Sequence, residues 1–309
     1  MLLTACATGR INQFRQFADA GISYAEAVDA LTREAASATV DADSAVLART
    51  RSSVPQDDRA RTVLEHNQLI RQRVEVLADL RRHARLLGAY FVTLASMTDP
   101  DAASEFGVAA SELVESLGVV GARLRTARVG DLAVDDFTGR VVEISVAHLQ
   151  KAVLERELRA RSALLARELD LQQAAMHAVV QGMRADLAIV LRSQEKLEVV
   201  DPYRGNAKLP KSWAKRRREI LTASMAIASA EAAGLAARRL GESFAAVAEN
   251  RFGVAEFLSL MGDIQQTLDL IAAARGVGQD EGTGGLVCPW LPRPFAAGCS
   301  RSCARPLSP

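Results

Sequence analysis

Cysteine is nearly absent from the body of this chain, since none lies between Cys6 and Cys288. That excludes a disulfide framework or a thiolate metal cluster as the basis of its fold. Proline is almost as scarce. Before the C-terminal segment there are only Pro55, Pro100, Pro202 and Pro210, each lying between helical patterns, as befits a residue that breaks a helix interior. Aromatics make up 5% of the 309 residues. No run approaches the roughly 18 uninterrupted apolar residues that a membrane-spanning helix needs. The nearest, Ala223 to Ala237, is broken by Glu231 and consists mostly of small residues, which read as packing surface. Neither sign of charge dominates, with 38 basic against 37 acidic residues, so no global field draws the chain to nucleic acid. Period-two alternation bounded by turns is also missing, and no strand is expected.

What is present is helix-forming sequence. Hydrophobic residues amount to 49% and charged residues to 24%. Ala, Leu and Val dominate the apolar content, with many Arg and Glu, and Ala and the straight-chain residues lose little side-chain freedom in a helix. A first helix is expected over 11–51, with Phe14, Phe17, Ile22, Val28, Leu31, Val46 and Leu47 on its apolar face. A second, over 57–96, repeats Val63, Ile70, Leu77, Ala84 and Phe91 every seventh residue, with Leu80, Leu87 and Leu94 as partners. That is the seam of a helix packed along its length. Glycines 107, 118, 121, 130 and 139 weaken the next segment, where a helix over 102–127 and a turn near Gly130 are expected. From 141 to 199, Leu154, Leu158, Leu165, Leu169, Met176, Val180, Met183, Leu187 and Val190 step by threes, fours and sevens. A loop over 201–209 precedes a helix from Pro210 to Asn250 and a last one carrying Phe257, Met261, Ile264, Leu268 and Ile271. The fold class expected is all-α, an elongated antiparallel helical bundle with long coiled-coil-like helices. Its body spans 7–275, and 276–309 is a Gly-, Pro- and Cys-containing tail of linker composition.

No motif of catalysis stands out. Gly-x-Ser-x-Gly, a phosphate-binding Gly-rich loop and His-Glu-x-x-His are all missing. The four histidines, His66, His83, His148 and His177, have no Glu-x-x-His partner for a di-metal bundle, and Glu143 lies five residues from His148, on another face. They read as solvated or core-edge groups. Cys299 and Cys303, with Cys288, lack a fourth zinc ligand. No enzyme activity, cofactor or metal is therefore expected. The strongest local feature is a basic cluster, Lys208, Lys211, Lys215, Arg216, Arg217 and Arg218, opposed by Glu219 and containing Trp213. Cations with an aromatic suit anionic lipid headgroups, phosphates or an acidic partner; the alternative is a solvated helix face with Trp213 capping the bundle end. A second basic stretch, Arg71, Arg73, Arg81, Arg82 and Arg85, is interrupted by Glu75 and Asp79 and reads as an exposed face.

At the N-terminus, Leu3-Thr4-Ala5-Cys6 resembles the lipobox of bacterial lipoproteins. The resemblance implies that Cys6 becomes the lipidated first residue and that 1–6 is the remnant of a signal peptide. Two or three acyl chains would then anchor the chain stably. Only five residues precede Cys6, so the resemblance requires a signal peptide beginning upstream of Met1; otherwise Cys6 is a small buried or frayed N-terminal cysteine. With Ala7 following, it implies a cell-envelope address facing the periplasm, at the outer membrane. The expectation is a non-catalytic helical scaffold or binding protein with a protein partner not named by the sequence, and with a tendency to self-associate. The alternative is a soluble cytoplasmic interaction protein that takes a polyanion through the basic cluster.

Overall fold

The computed structural model describes residues 3–97, 106–129, 132–137, 152–222, 224–249, 251 and 254–276. It is all-α apart from one two-residue hairpin. Helix α1 covers Leu3–Thr50 and α2 covers Arg59–Met97, joined through a turn and a short 3-10 segment, Gln56–Asp58. Helix α3, Phe106–Arg125, leads to strands β1, Arg128–Val129, and β2, Leu132–Ala133. These pair antiparallel, Arg128 with Ala133 and Val129 with Leu132. The small hairpin corrects the expectation of no strand, and it brackets the turn expected at Gly130. Helix α4, Ala152–Gln194, runs on through a π-helical turn, Glu195–Val200, into α5, Asp201–Arg204. Helices α6, Trp213–Thr222, and α7, Ser224–Ala248, return, and α8, Val254–Gly276, closes the bundle.

The sequence boundaries shift in physically readable ways. α1 begins at Leu3 rather than 11, because no breaker occurs before it. The loop expected over 201–209 starts with a helical turn, since Pro202 stands in its first turn, where a missing N–H costs nothing. α6 begins at Trp213 rather than Pro210, and Pro210 supplies the carbonyl that accepts from the Trp213 N–H at 2.9 Å. Glu143 and His148, the Asp99-Pro100 helix start, and the tail beyond Gly276 lie outside the described residues.

An aromatic triad locks the lower bundle. The Phe17 ring meets Phe91 of α2 edge-on at 5.4 Å and Phe244 of α7 at 5.3 Å. Gly21 lets α2 come this close: a Cβ there would overlap the Phe91 ring. Residues of α4 and α7 pack antiparallel, with Met176 against Gly234 and Leu169 against Gly241. The small residues Ala230, Ala233, Ala236 and Ala237 of α7 are buried, so the Ala-rich stretch is packing surface. Phe257, Met261, Ile264, Leu268 and Ile271 bury one face of α8.

The heptad seam of α2 is buried only in part. Leu77, Leu80, Ala84, Leu87, Phe91 and Leu94 are core, but Val63 is 42% exposed and Ile70 half-buried. From Asp43 to Val76 no residue is buried. There α1 and α2 pack chiefly on each other, with Arg73 reaching Asp186 of α4, and two helices alone cannot enclose a side chain. No helix among the described residues is long and apolar enough to cross a membrane.

Candidate functional site

Two groups of polar residues stand out, one inside the bundle and one at its end. Inside, four helices contribute to a closed hydrogen-bond network. His83 of α2, Glu168 and Gln172 of α4 and Tyr24 of α1 are all fully buried. His83 Nε2 lies 2.9 Å from Glu168 Oε2, and Gln172 Nε2 lies 2.6 Å from His83 Nδ1. The Tyr24 hydroxyl donates to Gln172 Oε1 at 3.1 Å. With the amide nitrogen facing the ring, Nδ1 accepts, and Nε2 carries the proton donated to Glu168. Arg125 of α3 donates to Glu168 Oε1 at 2.6 Å, and Arg167 approaches the same oxygen at 3.2 Å. Gly121 provides the space, because a Cβ there would collide with the Glu168 carboxylate.

Burial drives the Glu168 pKa up, but the hydrogen bond from His83 and the ion pair with Arg125 outweigh it, and the carboxyl is held below its ordinary range. Burial pushes the Tyr24 hydroxyl well above its usual range. A group this enclosed has no route to a substrate, and its physical role is to fix the register of α1, α2, α3 and α4. Lower in the bundle, Tyr90 donates to Glu157 at 3.2 Å, and burial raises the Glu157 carboxyl despite Arg161 beside it. On the flank, Asp29 of α1 is clasped by Arg81 at 2.6 Å, Arg85 at 2.5 Å and Arg33 at 2.8 Å.

These contacts correct two sequence expectations. His83 is a core group rather than a solvated or core-edge one. The second basic stretch is not simply an exposed face: Arg81 and Arg85 bind α1, and Arg73 reaches Asp186 of α4 at 3.0 Å. His66 is half-buried against Asp43 at 2.6 Å, and His177 is exposed. Among the described residues no group of three His, Cys, Asp or Glu side chains could hold a metal. A cleft of 230 Å³ between the end of α1 and the start of α2 is lined by Leu47, Thr50, Arg51, Val54, Arg59 and Val63. Among the described residues its lining has no carboxylate or histidine, and its hydroxyls are those of Thr50 and Thr62.

The basic cluster occupies the hairpin end where α4 turns back into α6. Trp213 is half-buried; its indole N–H donates to the Val199 carbonyl at 3.0 Å, and its ring stacks on Tyr203 at 5.7 Å. That fastens the start of α6 to the π-helical turn. Arg216 is committed to Glu198 and Glu219, both at 3.0 Å. Lys208, Lys211, Lys215 and Arg217 are exposed and form no ion pair among the described residues. Arg218 is exposed as well. Interleaved with these cations are exposed apolar groups: Leu197, Val200 and Leu209, with Leu221 at 57% and Tyr203 at 69% exposure. The sequence identified the cations but not these neighbours, which fall outside any helical stripe.

Cys6 lies in the first turns of α1. Helices α1 and α4 run in the same direction, as the Tyr24–Gln172 bond and the packing of Leu31 beside Met176 and Met183 require. The start of α1 and the basic tip are therefore at opposite ends of the rod. At about 1.5 Å per helical residue, the path from Cys6 to Tyr24 and on from Gln172 to Arg204 is roughly 75 Å. Comparison of the chain with family models, with curated proteins and with solved structures finds no match.

Proposed function

We propose that this chain is a non-catalytic helical scaffold or binding protein of the cell envelope, anchored by lipid on Cys6 and facing the periplasm from the outer membrane. The observation supporting this reading is the separation of the lipobox-like segment from the exposed basic tip along one continuous rod. A tether works by holding a contact surface at a fixed distance, and packed helices do that without further chemistry. Its protein partner would meet a surface at or near the tip. The test is to express the gene from its full upstream reading frame and measure the mass of the N-terminal peptide. A peptide beginning at Cys6 and carrying acyl chains, with membrane partition abolished in Cys6→Ala, is the expected result. An unmodified peptide beginning at or before Met1 would overturn the anchored reading.

A second reading is favoured by the four cations that form no ion pair among the described residues: a soluble interaction protein that takes a polyanion at the tip. Salt-sensitive binding of nucleic acid, lost when Lys215 and Arg217 are neutralised, is what this reading expects.

A further inference from the structure

We propose that the α5–α6 tip is a docking surface for an anionic lipid bilayer. This deepens the polyanion reading of the same residues and does not depend on lipid at Cys6.

Charge is the first part of the argument. Between 195 and 219 there are eight basic residues, Lys196 and Arg204 with the six of the cluster, against four acidic ones, Glu195, Glu198, Asp201 and Glu219. Two of those acids are already used by Arg216. What remains includes Lys208, Lys211, Lys215 and Arg217, exposed at one end of the bundle and without an ion pair among the described residues.

The apolar groups decide which anionic surface fits. On α6, Leu221 and Ala214 share the exposed sector with Lys215 and Arg218, following the 3.6-residue period, and Lys211 is exposed in the turn before it. Leu209 and Tyr203 stand exposed in the preceding turn, and Leu197 and Val200 on the π-helical segment beside it. A nucleic acid backbone rewards the cations but leaves aliphatic side chains in water. A bilayer interface accepts both, because aliphatic groups enter the acyl boundary while Lys and Arg extend to the phosphates. Tyrosine and tryptophan favour the same headgroup level. Trp213, stacked on Tyr203 and bonded to the Val199 carbonyl, fastens the start of α6 to the π-helical turn beside these groups.

The experiment uses the full chain carrying Cys6→Ser, so that no acyl chain contributes, with phosphatidylcholine vesicles prepared with and without phosphatidylglycerol. Co-sedimentation is expected only with phosphatidylglycerol, weakening as salt rises. Lys208→Gln combined with Lys211→Gln, both outside regular helix, should reduce binding roughly tenfold or more. Tyr203→Ser with Leu209→Ser should reduce it severalfold at unchanged charge. In a Trp290→Phe background, Trp213 emission should shift to the blue on binding. Absence of vesicle binding would overturn the proposal. So would binding untouched by both double variants while their helical circular dichroism is retained. Equal affinity for duplex DNA that is insensitive to Tyr203→Ser and Leu209→Ser would assign the tip to nucleic acid instead.

Discussion

At the scale of single residues, the buried network makes the sharpest statements. Glu168 is fully buried and takes His83, Arg125 and Arg167, so Glu168→Ala leaves three donors without their acceptor and should cost about 3–5 kcal/mol, read from urea denaturation. The same carboxyl is held below its ordinary pKa, as is Asp29, where hydrogen bonds from Arg81 and Arg85 outweigh burial. A depressed carboxylate pKa contributes stability that is present above the unfolded value and disappears as pH falls through the folded one. Stability should thus drop below the ordinary carboxyl values of 4.5 for Glu168 and 3.8 for Asp29. Glu168→Gln should flatten that acid limb, and an unchanged limb would contradict the assignment. Glu157, raised by burial, acts in the opposite direction and softens the decline.

Two glycines of α3 provide a paired comparison. A Cβ at Gly118 meets nothing within 4 Å, so Gly118→Ala should stabilise the protein by about 0.5–1 kcal/mol through helix propensity. Three residues on, Gly121→Ala would press on the Glu168 carboxylate and should destabilise by about 1–3 kcal/mol. Thermal melts of the two variants should move in opposite directions. The sequence showed both glycines only as weak points in a helix. Their difference depends on a residue far along the chain, and no local pattern carries it. His83 was hidden for the same reason, with partners 85 and 89 residues away. Its one local sign is its place three residues after Leu80 and four before Leu87, on the edge of the buried stripe.

At the scale of elements, periodicity revealed the helices because each buries a continuous face against several neighbours. It could not reveal where burial stops. The heptad of α2 continues through Val63 and Ile70, although α1 is its main neighbour there and α4 is reached through Arg73. Residues 43–76, with no buried side chain, should exchange their amide hydrogens faster than the parts of α1 and α2 around Phe17 and Phe91. Uniform protection along both helices would contradict this. The tip has its own fastening. Trp213→Ala removes the indole bond to Val199 and the stacking on Tyr203, and should loosen α6 while changing global stability by less than about 1 kcal/mol. The basic cluster itself was legible because six cations lie within eleven positions. Its partition into Arg216, tied to two glutamates, and Lys208, Lys211, Lys215 and Arg217 was not, because it depends on Glu198 across the hairpin.

At the scale of the whole molecule, the functional reading is a matter of ends. The lipobox-like segment opens α1, and the cations and exposed apolar groups close the hairpin roughly 75 Å away by helical rise. Under the proposed reading, a protein built this way acts by contact, holding one surface at a set distance from another. Vesicle clustering tests this most directly. The lipid-modified chain, obtained from the full reading frame and placed in phosphatidylcholine vesicles, is mixed with vesicles containing phosphatidylglycerol, and light scattering is followed. The account predicts clustering that requires Cys6, falls with salt and is lost in the Lys208→Gln, Lys211→Gln variant. Chain inserted in the first vesicles that leaves the second population dispersed at low salt would contradict it.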